Sequence, residues 1–143
     1  MKIVGFNFSK ISAERLSDKI LKKPSTSIEF LDLQKDKVDL LKDSEVIKIY
    51  FNYSVNYDEQ EKDKSKDKDG EVVIKGDVVL SATKEEAKDI TKSWKKKKLP
   101  ATLNINLFNL ILRRCTPKAI FLEDEIGLPI HTPMPRLQQK KEE

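Results

Sequence analysis

From Ile47 onward the apolar residues fall on every second position: Ile47, Ile49, Phe51, Tyr53, Val55 and Tyr57. Lys48, Tyr50, Asn52, Ser54 and Asn56 alternate with them. Successive strand side chains point to opposite faces, so a period of two gathers the apolar set on one side. A second stretch repeats the pattern, with Val72, Ile74, Gly76, Val78, Leu80 and Ala82 on one side. Glu71, Val73, Lys75, Asp77, Val79 and Ser81 take the other. A helix would scatter these sets around its surface. Two such arms read as neighbouring antiparallel strands of a half-buried sheet, a hairpin from Val46 to Ala82.

The connection between the arms, Asp58 to Gly70, holds six acidic residues, four lysines and no apolar residue. Such a stretch buries too little to order itself, so 58–70 is expected to be a mobile charged loop. Asp69-Gly70 suits the turn into the second arm. Ser65 to Gly70 resembles the start of a calcium-binding EF-hand loop. The twelfth position would however be Gly76 where a bidentate Glu is needed, and helices should flank the loop. A solvated loop is the preferred reading.

Lys2 to Ser9 alternates and is expected to be a strand. Ser12 to Lys22 reads as a short helix capped by Ser12, with Leu16 and Ile20 on one face and Pro24 ending it. Ser27 to Gln34 alternates weakly and reads as a strand, while 34–44 fits either a continued strand or a buried turn. Thr83 to Lys98 is the clearest helix. Thr83 and Glu86 form a capping box, and Ala87, Ile90 and Trp94 make its apolar stripe. Leu99-Pro100 closes it. Thr102 or Asn104 is then placed to cap a helix carrying Leu107, Phe108, Leu110, Ile111 and Leu112, apolar on nearly every side and so expected to be the most buried. Cys115-Thr116-Pro117 is expected to break the run. A further short helix would start at Pro117 and stop at Gly127. Leu128 to Leu137, with three prolines, should be extended, and 138–143 a disordered tail. The sum is one α+β domain over residues 1–137: an antiparallel β-sheet of about four strands with C-terminal helices packed on one face.

Little chemistry is on offer. Thiol or hydroxyl nucleophiles need a base beside them, and the chain has one histidine, His131, and one cysteine, Cys115. A Cys115–His131 dyad is the only pairing, and a small cysteine at a buried helix end is more often packing. Zinc would need more Cys and His, and neither a P-loop nor a GxGxxG occurs. No metal, cofactor or catalytic residue is expected, and the chain is not expected to be an enzyme. One cysteine fits a reducing compartment, and with no apolar run long enough for a signal peptide or a membrane span the expected location is the cytoplasm, without membrane insertion. Charged residues make up 36% of the chain, above the usual ~25%. Proteins from hot environments and well-solvated surfaces both show such a composition.

What remains is surface. Val73 and Val79 lie opposite the main apolar set of the second arm, and Tyr50 lies opposite that of the first. One helical layer covers one sheet face, so the other is expected to meet a second chain or a ligand. Phe6, Phe8, Tyr50, Val73 and Val79 are the candidate peptide-binding or interface residues. The rival reading is a basic RNA- or ribosome-associated module. It would use Lys95, Lys96, Lys97, Lys98, Arg113, Arg114 and Arg136, with Trp94 stacking, although the net charge of only +4 is mild.

The order of elements, strands then helices then a Pro-containing tail, resembles the SecB family of export chaperones. The opening strand with Phe6 and Phe8 followed by Ile11-Ser12 is similar to that family's first strand, and the arms Ile47–Tyr57 and Val72–Ala82 to its central hairpin. Cys115-Thr116-Pro117-Lys118-Ala119-Ile120-Phe121 resembles its Cys-Pro turn with an aliphatic-aromatic pair, and Leu128-Pro129-Ile130 with Pro133 its closing segment. The resemblance implies a homo-oligomer, dimer or tetramer, that holds unfolded polypeptide in apolar and aromatic grooves. Three departures stand beside it. This chain is basic where that family is typically acidic, Glu123-Asp124-Glu125 replaces an aromatic-rich turn, and the zinc-binding tail of some members is absent.

Overall fold

The computed structural model describes residues 1–16, 24–37, 44–57, 69–133, 135 and 137. Four strands come first: β1 (Lys2–Arg15), β2 (Ser25–Lys37), β3 (Ser44–Tyr57) and β4 (Gly70–Thr83). Two helices follow, α1 (Lys84–Trp94) and α2 (Ala101–Ile126). The strands form one antiparallel sheet in the order β1-β4-β3-β2, so the hairpin is central and β1 and β2 are the edges. Ile47 stands opposite Leu80, Phe51 opposite Gly76 and Tyr53 opposite Ile74. That register puts both alternating sets on one face, where they are buried under the helices.

The helix expected from Ser12 is overturned over Ser12–Arg15, which belong to β1, with Ala13 opposite Val72. β4 offers an unbroken row of ladder bonds, whereas a Ser cap is worth only ~1 kcal/mol. A bulge between Phe8 and Lys10 hid the strand. It inserts one residue, so the inward set changes from even (Phe6, Phe8) to odd (Ile11, Ala13). β2 does the same between Phe30 and Asp32, with Ile28 and Phe30 inward before the shift and Leu33 after it. The remainder of the expected helix, 17–22, most of the charged loop with its calcium-like start, Arg136 and the tail 138–143 lie outside the described residues.

The Thr83 cap forms as expected. Its hydroxyl accepts from the Glu86 N–H at 3.2 Å, and Glu86 Oε1 accepts from the Thr83 N–H at 3.1 Å. Those bonds hold the exposed Glu86 carboxyl below its ordinary range. α1 ends at Trp94, earlier than expected, and Lys95–Lys97 form a turn in which Lys97 has φ 56°.

α2 is one helix of 26 residues, not two. Pro117 lies inside it, and the chain does not break at Cys115-Thr116-Pro117. The helix starts from Pro100 without a side-chain cap, so Thr102 and Asn104 fall within it. The reason is the buried row Leu103, Leu107, Ile111, Cys115, Ala119 and Glu123, one residue every fourth position, which runs straight through the proline. Packing that row on the sheet outweighs the ~3 kcal/mol an interior proline costs. Pro117 itself is exposed. Pro117→Ala is therefore expected to stabilise the fold by ~1–3 kcal/mol in urea unfolding. Gly127 ends α2 in the left-handed region, φ 72°. The helix is not buried all round: Ile105, Leu112 and Phe121 are exposed. No described helix is long and apolar enough to cross a membrane.

Candidate functional site

The sheet divides the five candidate contact residues between its two faces. Phe6 and Phe8 stand opposite Val78 and Gly76 and point under α2. Tyr50, Val73 and Val79 point the other way. Across from them the register sets polar or small residues: Asp32 and Asp77 flank Tyr50, Ser12 and Ser54 flank Val73, and Gly5 and Lys48 flank Val79. The Tyr50 hydroxyl donates to Gln34 Oε1 at 3.2 Å, Asn7 donates to Asp77 at 3.1 Å, and Ser27 and Ser54 hydroxyls meet at 2.8 Å. This outer face is a polar surface with isolated apolar residues. The expectation of a greasy second face is corrected: Val73 and Val79 are separated by Lys75 and Asp77 on their own strand.

The basic set is also divided. Lys95 to Lys98 are exposed just before α2. Arg113 and Arg114 lie about 20 Å further along it at 1.5 Å per residue. Arg114 is committed to aromatic rings, with its guanidinium carbon 5.2 Å from the Phe6 centroid and 5.8 Å from that of Phe8. Trp94 is half-buried against the core, not free to stack on a base.

The unspent apolar surface lies on the helix side, toward the β1 edge. Ile11 of β1 and Pro117, Lys118, Phe121 and Leu122 of α2 line an open groove of about 390 Å³. Phe121 is 63% exposed and Ile11 46%. Two features build it. The bulge turns Ile11 toward α2, and the unbroken helix carries Phe121 past the end of the Phe6–Phe8 pair. At the groove's end Lys118 Nζ sits 4.9 Å from the Phe8 centroid, one turn from Arg114. The sequence named Ile11 and Phe121 only within the family resemblance, and nothing in it brought the two together; they line one groove because β1 runs on to Arg15 and α2 runs on to Ile126.

A second cluster is buried and was missed altogether. Glu123, the sixth residue of the α2 row, has 0% exposure. His131 donates from its backbone N–H to Glu123 Oε2 at 3.1 Å and from ring Nδ1 to Oε1 at 2.6 Å. Its Nε2 meets the Tyr53 hydroxyl at 2.8 Å. The Tyr57 hydroxyl bonds both Glu123 Oε2 and the Pro129 carbonyl, the latter at 2.8 Å. These bonds tie the segment after α2 to the inner face of β3. They also dispose of the Cys115–His131 dyad, since both ring nitrogens of His131 are taken by other groups.

Burial pushes the Cys115 thiol up to about 12, and burial raises both tyrosines, with Glu123 adding to the rise at Tyr57. A raised pKa means that the folded chain holds its proton more tightly than the unfolded chain. The stability gained is complete below the unfolded value and is lost as pH climbs toward the folded one. The fold should therefore hold a constant urea midpoint from pH 7 to about 8.5 and weaken above it, first through the unfolded thiol and then above pH ~10 through the phenols. Cys115→Ala should flatten the first part of that decline.

No family model and no curated protein matches this chain. Among solved structures it is similar to the Mycobacterium tuberculosis Rv1957 SecB-like chaperone in complex with a ChAD peptide from the Rv1956 HigA1 antitoxin. The identity is 12%, the match covers 98% of this chain and 92% of that one, and the TM-score is 0.45.

Proposed function

We propose that this chain is a non-catalytic, SecB-like binding protein that holds unfolded or extended apolar polypeptide and self-associates. The observation that carries the reading is the groove between Ile11 and Phe121: apolar, open, and beside a strand whose outer edge is unpaired among the described residues. A groove of that size takes one or two large side chains, and an open edge supplies backbone hydrogen bonds irrespective of sequence. Buried Cys115 and His131 with both ring nitrogens engaged support the non-catalytic reading. The exposed Ile105 and Leu112 on α2 are the surface assigned to self-association.

The test is suppression of aggregation of a chemically unfolded client diluted into buffer, with solution mass measured on the same sample. The chain is expected to suppress aggregation at near-stoichiometric ratio and to run above its monomer mass. Phe121→Ser should lose most of the suppression while keeping its urea midpoint, since the ring is exposed. Absence of suppression at every ratio overturns the reading, and full suppression by Phe121→Ser moves the site elsewhere.

A further inference from the structure

The chain turns back on itself after α2. Gly127 is the hinge, in the left-handed region at φ 72°, and its carbonyl accepts from Arg15 Nη1 at 3.3 Å. Residues 128–131 then form a strap across the inner face of β3. Leu128 is buried, Pro129 is half-buried and Ile130 is 37% exposed. The strap therefore buries one apolar side chain fully, and its other pins are polar. They converge on Glu123 and the two tyrosines. A segment with few apolar contacts opens at lower free energy than the core beneath it.

The pins limit how many protons the closed strap can hold. Glu123 Oε2 takes the Tyr57 hydroxyl and the His131 N–H, and Oε1 takes His131 Nδ1–H. Both oxygens are thus filled by donors. The His131 ring has more latitude. When the ring is neutral, Nε2 accepts from the Tyr53 hydroxyl. When it is charged, Nε2 donates, and the hydroxyl, which also bonds Thr116, turns around. The closed strap accommodates one added proton in this way, and no second. A proton on Glu123 would meet a donor at either oxygen. It would also remove the counter-charge from a histidine whose side chain is 3% exposed. Among the described residues nothing stands ready to replace it. Cys115 of α2 and Tyr53 and Tyr57 of β3 are neutral in acid, and Asp124 and Glu125 are exposed. Arg15 of β1 lies at the Gly127 carbonyl. The inward residues nearest on β2 and β4, Thr26, Ile28, Gly70 and Val72, carry no charge.

We propose that residues 128–131 are an acid-released strap, closed while the Glu123–His131 pair holds at most one titratable proton and opened by the second, with the sheet and helices still folded. Opening hydrates both groups and uncovers Tyr53 and Tyr57 on the inner face of β3. The open form binds the extra proton, so acid favours it. A solvated glutamate takes its proton near pH ~4.3, so each pH unit below that should raise the open fraction about tenfold. This device belongs to the fold itself and stands whether or not the chain holds polypeptide.

The test is amide hydrogen exchange, followed by NMR on the full chain from pH ~7 to ~3, with each rate taken relative to that of a free chain at the same pH. The His131 N–H, which donates to the Glu123 carboxylate, should hold its protection down to pH ~5 and lose it about tenfold per unit below ~4.3. The Ile49 and Ile74 amides of the central strands should keep theirs. Glu123→Gln removes the carboxylate that titrates, so its His131 amide should be weakly protected and level across the whole range. Tyr57→Phe withdraws one donor from Oε2 and leaves the charge, so its acid step should remain. Protection of His131 that persists to pH ~3, or that falls together with Ile49 and Ile74, overturns the inference. An acid step that survives in Glu123→Gln overturns it too, since another group would then be responsible. Should Glu123→Gln not fold, the profiles of the unaltered chain and of Tyr57→Phe decide the question.

Discussion

Glu123→Ala is expected to lower the stability of this chain by ~3–5 kcal/mol in urea unfolding at neutral pH. The carboxylate is fully buried and accepts from the Tyr57 hydroxyl, the His131 ring and the His131 backbone. Alanine leaves those donors in an apolar interior with a void beside them. A lost buried acceptor costs the desolvation of each orphaned group, which exceeds the ~1 kcal/mol net worth of an ordinary hydrogen bond. Tyr57→Phe is the graded control. It removes one donor, keeps the ring that fills the core, and should cost only ~1–2 kcal/mol. A double-mutant cycle between Glu123 and His131 should show coupling above ~0.5 kcal/mol, as expected of residues in one network. If Glu123→Ala costs less than ~1 kcal/mol, the tail is held by Leu128 and Pro129 packing, and the polar network contributes little.

The second large effect is expected at Gly76. It stands between Phe8 on β1 and Phe51 on β3 in the same register row. A Cβ built there collides with the Asn7 carbonyl oxygen and lies 3.0 Å from Phe51 Cζ. Phe51 can tilt, but the Asn7 carbonyl is backbone and moves only with β1. Gly76→Ala should therefore cost ~3 kcal/mol, at the upper end of the usual overpacking range. The loss should be local as well as global. Hydrogen exchange at β1 amides near Phe8 should quicken more than at β3 amides, because β1 is the strand that must shift. Equal quickening across the sheet would mean that the strain spreads through Phe51 instead.

The legible and illegible parts of this fold differ in a physical way. β3 and β4 could be read because both are central strands with an unbroken period of two and every inward residue buried. The edge strands carry bulges, and one inserted residue reverses the alternation. Ser12–Arg15 then showed no period, and a local cap filled the gap. Pro117 was read by its own chemistry, while the outcome rested on six residues in a row four apart. At Val73 and Val79 the strand's own sequence suggested a greasy face. Their cross-strand neighbours, Ser12, Ser54, Gly5 and Lys48, come from up to 74 positions away (79 − 5) and make it polar.

Local order along the chain was enough for the hairpin, the Thr83 cap and the Gly127 stop, because each depends on residues within a few positions of one another. Which face of the sheet would be wet, how Ile11 meets Phe121, and why a carboxylate at position 123 tolerates burial were settled only when distant segments met. Those contacts depend on cross-strand register and on the path of α2 over the sheet, and pairing between residues tens of positions apart leaves no period in the chain that carries them.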